Sequence, residues 1–460
     1  MQKKLLTIAV AGALAAPALA VAQSTVEVYG TVNMAFGQFK YTDGGVARTN
    51  DGSSQAAFGS SVSKWDVANG ASNYGIRSRE NLGGGLAGWI QIEQNAPLER
   101  SSSPAIKPAS RNSAIGMQGG FGNVFLGQWT TPWADLDALW GIGTVGFWGP
   151  VTAIIGRRET TGVAPNPNCI GGEGVTPGGS SNGPGRTVCD ALPSGGGVGH
   201  AFWRRASNAV FYQSPVMAGV QVKLAYQTNE GKATGNPGGT NADPSMWSTS
   251  VQWAGLGGRA RVGAAYDRHK DFTTIGQTDT GYAVKGGWNF GVIDVGLAYE
   301  VSKYKCGVQP FGAPGAPTFG ATGAVTYTTQ APARPTLCGS DGDIKAKQYG
   351  VALAVPVGPG SIRASYAVAK DLEGVVGSAA GVHISDTGAK QYNVGYEHRF
   401  SKRTNVGIGY AKIDNKQNAQ FTWTGAPPNQ TGSFQGTTGN NTPLFGSDVS
   451  TFFVSMTHRF

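Results

Sequence analysis

From Val220 to Gln227 the chain alternates: Val220, Val222, Leu224 and Tyr226 stand against Gln221, Lys223, Ala225 and Gln227. A period of two marks an extended strand with one apolar and one polar face, and no helix produces it. The pattern recurs at Ile293, Val295, Leu297, Tyr299 and Val301, at Trp247, Thr249, Val251 and Trp253, and at Tyr392, Val394 and Tyr396. Reading the whole chain this way predicts sixteen strands, near 25–39, 71–80, 86–95, 111–118, 123–129, 207–214, 219–229, 245–254, 258–269, 279–289, 292–304, 344–356, 361–370, 387–399, 405–414 and 448–460. The fourth is the least regular, because Arg111 and Ser113 share parity with Ile115 and Met117.

Tight turns are expected at Leu82–Gly85, Gly119–Gly122, Pro215–Gly219, Gly255–Gly258, Phe290–Gly291, Pro356–Gly360 and Ser401–Thr404, and the connections between them are long. Short turns at one end and long loops at the other fit an all-β, sixteen-stranded antiparallel transmembrane barrel. An even strand number lets the first and last strands pair, leaving no unpaired edge in lipid. The last strand supports this, since Phe452, Val454, Met456 and Phe460 share one face while Thr457, Ser455 and Arg459 take the other. A chain ending in an amphipathic strand and a terminal aromatic carries the assembly signal of an outer-membrane barrel.

At the other end, Lys3 and Lys4 precede an apolar run that closes in Ala20-Val21-Ala22. This reads as a secretory signal peptide over residues 1–22, leaving a barrel over 23–460. Its loss removes two of 36 basic residues against 27 acidic ones, for a mature charge of about +7. No later run approaches the eighteen apolar residues of a membrane helix, whereas a barrel strand needs apolar residues only at alternate positions. That fits a chain 40% hydrophobic but only 14% charged. The basic residues are spread along the strands rather than gathered in a run, so nucleic acid is not expected as a partner. Cys169, Cys189, Cys306 and Cys338 read as disulfide cysteines in an exported chain. Three pairings are possible, and the two local ones close short loops. Their spacing lacks the ligand pattern of a zinc site, and neither metal nor cofactor is expected.

Several stretches resemble the trimeric porins of Gram-negative bacteria of the betaproteobacterial type. They are Val26–Gly30, Ser72–Leu86, Gly122–Gln128, Arg205–Pro215, Phe400–Thr404 and the final His458-Arg459-Phe460. The resemblance spans the mature chain. It implies a homotrimer in the outer membrane, contacts with outer-membrane lipid and the barrel-assembly machinery, and a third loop folded inward to narrow the channel. Residues 130–206 lie at the matching place. This insert is longer than the family's usual loop and its cysteines are outside the family pattern, so the constriction is expected in its early part and the Cys169/Cys189 part nearer the pore mouth. Asn33 and Gln128 also depart from the family, which often has Asp and Arg there.

A passive channel for small hydrophilic solutes and ions selects by width and by the charge at its narrowest point. Arg77 and Arg79 share inward parity and, with Arg111, form the expected positive flank. Asp135 and Asp137 are the expected acidic residues of the opposing loop, with Arg157 and Arg158 also in the constriction. Lys223, Arg259, Arg261, Lys285 and Arg363 have inward parity against Glu93, Asp267, Asp294, Glu300 and Glu397, so the arginine group decides and a modest anion preference is predicted. Trp129, Trp133, Trp140 and Trp148 suit either sugar stacking or packing against the wall. A substrate-specific porin for an organic acid or sugar is the alternative reading. An outer-membrane barrel enzyme is more distant, since the histidines at 200, 269, 383, 398 and 458 lie in no catalytic motif.

Overall fold

The computed structural model describes residues 25–42, 47–48, 54–55, 61–96, 98, 108–149, 153–155, 202–228, 243, 245–270, 277–305, 317–319, 325–327, 343–374, 385–417, 419, 421–423 and 446–460. The predicted signal peptide, Arg157, Arg158 and the four cysteines lie outside them.

Sixteen antiparallel strands close into one barrel. The first eight are β1 (Thr25–Tyr41), β2 (Val62–Asn69 continued by Asn73–Gly83), β3 (Leu86–Asn95), β4 (Ser113–Gly119), β5 (Gly122–Thr130), β6 (Arg205–Gln213), β7 (Val220–Gln227) and β8 (Ser245–Gly255). The rest are β9 (Ala260–Lys270), β10 (Thr278–Asn289), β11 (Asp294–Lys305), β12 (Asp343–Val357), β13 (Gly360–Ala369, with a tip at Glu373–Gly374), β14 (Ala389–Arg399), β15 (Thr404–Asn415) and β16 (Val449–Arg459). All sixteen predicted segments are present.

Two boundaries differ for a physical reason. β2 begins at Val62, because a break at residues 70–72 shifts its phase: Trp65 and Val67 face outward above it, Tyr74 and Ile76 below it. Ala71 takes a left-handed φ of 59° there, and Ser72 Oγ accepts from Asn33 N (2.9 Å), filling the ladder. A period-two reading loses the strand where the phase changes. β4 begins at Ser113, so Arg111 sits in the preceding bend and escapes the outward parity that made this segment irregular.

The outer surface is an apolar belt, with Ile90, Ile92, Ile115, Leu126, Val251, Val284, Leu297 and Ile408 exposed. Phe452, Val454, Met456 and Phe460 join it, whereas Thr451, Phe453, Ser455 and Thr457 are buried on the inner face. β1 pairs with β16 from Thr31↔Arg459 to Tyr41↔Val449, and Gly30 and Phe460 exchange backbone hydrogen bonds of 3.1 Å. Gly30 is needed there, since a Cβ would stand 2.5 Å from the Phe460 ring. The tight turns use glycine similarly: Gly83, Gly84 and Gly85 all have positive φ.

Candidate functional site: the lumen and its folded loop

After β5 the chain turns into the barrel. Thr131 caps the short helix α1 (Pro132–Asp135) by accepting from Ala134 N, and Pro132 supplies a pre-set φ at its start. Two 3₁₀ turns follow, Leu136–Leu139 and Gly141–Gly143. From there to residue 149, and again at residues 153–155, the chain lies against the inner wall and travels round it.

Its contacts trace the path. Trp133 N donates to Ser248 Oγ on β8 (3.2 Å), and Arg261 Nε on β9 donates to Leu139 O (2.6 Å). Arg363 on β13 donates to Thr144 O (3.1 Å), and Asn393 Nδ2 on β14 to Trp148 O (2.7 Å). Trp148 then wedges between Phe39 of β1 and Phe453 of β16, with ring centroids 4.9 and 4.6 Å away. Phe147 fills the β2 break, where a Cβ on Gly70 would stand 2.0 Å from its ring. Small residues on both sides leave room; Gly296 of the wall lies under the Trp140 backbone, and Gly143 of the loop lies close to Ala364 O of the wall. Trp133, Trp140 and Trp148 are fully buried against the wall, which settles them as packing rather than sugar-stacking residues.

The charges of this covered wall are paired. Asp135 meets Lys223, and Asp137 meets Lys285, which also binds Glu300 (2.6 Å). Asp137 further accepts from Trp203 Nε1 (2.5 Å) and Trp140 Nε1 (3.3 Å). Arg261 holds Asp294 (2.7 Å), and Arg363 holds Glu397 (2.9 Å). The loop carboxylates are therefore engaged by wall lysines and do not form a free acidic flank across from the arginines, as the sequence suggested. A carboxylate carried into a narrow apolar contact needs a cation within reach, and the inner wall supplies one at each point.

β2 below its break and β3 to β5 are different, because the described loop leaves their inner face open. Glu27 and Arg77 are register partners and form a two-pronged ion pair (2.8 and 3.0 Å) with both side chains about half exposed. The Arg77 guanidinium also lies 4.9 Å from the Tyr29 ring centroid. Tyr29 donates to Glu93 Oε2 (3.0 Å), and Arg111 Nε donates to Glu93 Oε1 (2.5 Å). Gln128 sits beside this group and donates to Arg111 O (3.3 Å). Arg79 is exposed and its side chain, among the described residues, has no ion pair or hydrogen bond. The structure thus brings Arg77, Arg79 and Arg111 to one wall. Glu27 and Tyr29 were missed as members, although their inward parity on β1 was readable.

A closed sixteen-stranded barrel with an apolar belt, a polar lumen and a loop folded inside it is the architecture of an outer-membrane channel protein. A family model described as Gram-negative porin matches residues 7–418, and the chain belongs to that family. Outer membrane porin protein 32 of Delftia acidovorans is 24% identical over 434 residues, 90% of each chain. Major outer membrane protein P.IB of Neisseria gonorrhoeae is 30% identical over 141 residues, so the match spans 30% of this chain and about a third (35%) of that protein. Among solved structures, the anion-selective porin from Comamonas acidovorans aligns with a TM-score of 0.57 at 18% identity, over 95% of this chain and 100% of that one. The trimer form of OmpT from Vibrio cholerae aligns at 0.50 and 14% identity, over 95% and 99%. The family is one of porins, not of enzymes.

Proposed function

We propose that the chain forms a water-filled channel of the outer membrane through which small hydrophilic solutes and ions diffuse passively, with a modest anion preference. One observation carries the sign: on the wall covered by the described loop each cation lies against a carboxylate, Lys285 against two, while the wall which that loop leaves open holds Arg77, Arg79 and Arg111 against Glu27 and Glu93, one arginine in excess. Paired charges within a few ångströms largely cancel at a distance, so the exposed Arg79, which stands outside these pairs, sets the field an ion meets at the open wall. Arg77, Arg79 and Arg111 are the proposed selectivity residues, and the folded loop segment at residues 131–149 is the proposed narrowing element.

The proposed assembly is a homotrimer, as in the trimer form recorded for the Vibrio protein. The face of β16 bearing Phe452, Val454, Met456 and Phe460 is the proposed assembly signal, read by the barrel-assembly machinery. Reversal potential across a KCl gradient, measured on the protein in a planar bilayer, tests the selectivity. A potential of anion-selective sign is expected, reduced by Arg77→Ala, Arg79→Ala and Arg111→Ala together. A cation-selective unmutated channel defeats the charge argument, and absence of conductance defeats the channel.

A further inference from the structure

Arg79 on β2 and Trp89 on β3 are direct register partners, both on the inward parity opposite Ile76, Ile90 and Ile92. Residues so placed have Cβ atoms about 5 Å apart. The row continues at one height: Trp89 pairs with Gly116, Gly116 with Phe125, and Phe125 with Phe211. Gly116 opens the gap that lets Trp89 reach Phe125, since a Cβ there would stand 2.6 Å from both residues. The Trp89 and Phe125 centroids are 5.4 Å apart, and Phe125 stacks on Phe211 at 4.8 Å and 5°. Trp129 joins at 5.8 Å from Trp89 with the planes at 69°.

Phe125 and Phe211 are buried beneath this shelf, while Trp89 and Trp129 remain partly exposed. The two indoles therefore meet edge to face on the wall that the described part of the folded loop leaves open. The Trp89 N–H is spent on Asn123 Oδ1 (2.8 Å). The neighbouring charges are already matched, Arg77 with Glu27 at the next height and Arg111 with Glu93 above that. What the shelf offers, among the described residues, is ring surface beside one unpaired cation, Arg79.

We propose that Arg79, Trp89 and Trp129 form a lumenal subsite for small planar aromatic carboxylates, with the carboxylate on the Arg79 guanidinium and the ring against the indoles. A guanidinium presents a planar fork matched to a carboxylate, and an aromatic ring gains on an indole through offset or edge contacts. A sugar would need several hydrogen-bond partners around the platform, and the Trp89 N–H is already spent on Asn123. Access to the subsite rests on the channel reading above.

Benzoate and acetate are the probes, titrated calorimetrically into the detergent-solubilised protein and then added to single channels conducting KCl. Benzoate should bind about tenfold more tightly than acetate and interrupt the current where acetate does not. Arg79→Gln should weaken benzoate about tenfold. Trp89→Leu should weaken it about threefold while leaving acetate unchanged, and Trp89→Phe, which preserves the packing on Phe125, should restore most of the loss. Equal binding of the two acids, or benzoate binding indifferent to Arg79→Gln, overturns the subsite. Benzoate binding without KCl conductance overturns the channel reading and leaves the subsite standing; conductance without a benzoate preference does the reverse.

Discussion

The inner wall from β7 round to the β2 break and the inner wall from there to β5 solve opposite problems with the same residue types. On the first, arginine and lysine serve as anchors: Lys223, Lys285, Arg261 and Arg363 each bind a carboxylate, and both arginines also grip a loop carbonyl. On the second, Arg77 is half exposed, and exposed Arg79 has no partner among the described residues. A cation's role in such a lumen follows from whether the folded loop lies over it. Covered charges hold the loop, and uncovered ones are seen by solutes.

Breaking the covered half should cost stability and widen the channel without changing its sign. Trp148→Ala removes a fully buried ring between Phe39 and Phe453 and should cost about 3–5 kcal/mol. The reading is a lower heat-dissociation temperature together with a larger single-channel conductance; unchanged conductance would mean the loop does not narrow the pore. Lys285→Met leaves Asp137 and Glu300 without their cation and should cost about 3 kcal/mol, because both acids are nearly buried. Adding Asp137→Asn and Glu300→Gln should recover much of that loss in urea unfolding. If it does not, the cluster holds the loop by something other than charge matching.

Much of this contrast was legible in the sequence and part was not. Strict alternation located all sixteen strands, because a wall with lipid outside and water or loop inside imposes a period of two nearly everywhere. It failed at residues 70–72 and at Arg111, where a bulge and a bend change the phase. Inward parity found most of the paired wall charges, though Glu27 was passed over and Arg111 lay on the outward parity, and it could not say which residue pairs with which. Asp137 and Lys285 are 148 positions apart, and only the path of the loop brings them together. The same holds for the shelf: Trp89, Phe125 and Phe211 each have readable parity, but their contact depends on register across three strand pairs and on the missing Cβ of Gly116.

The open half should respond in the opposite sense. Arg79→Glu changes the local charge by two where no partner is disturbed among the described residues, so stability should stay within about 0.5 kcal/mol of the unmutated protein. The reversal potential should nevertheless move clearly toward cation preference. The matched control is Lys223→Met with Asp135→Asn, which removes a covered pair and leaves net charge unaltered. Should the control shift selectivity as much as Arg79→Glu, covered and open charges would be equally visible to ions and the contrast would fail.

The smallest effect belongs to the rim above the covered half, outside the strands. Burial tends to raise the Asp371 carboxyl, but hydrogen bonds from Lys416 Nζ (2.8 Å) and Gly388 N (2.8 Å) outweigh it and hold the group below the ordinary aspartate range. A depressed carboxyl contributes stability that is complete above its unfolded pKa of about 4 and is lost as pH falls through the lower folded value. Because the pair is partly exposed, the loss should stay local, loosening the connection that joins β13 to β14 and leaving the barrel closed. Backbone exchange at Gly388 should therefore quicken as pH falls below about 4, beyond the intrinsic pH dependence of exchange, and Asp371→Asn should remove that extra sensitivity. A rim that loosens equally in Asp371→Asn would assign the acid response to another group and leave the anchoring of the covered half to the buried pairs alone.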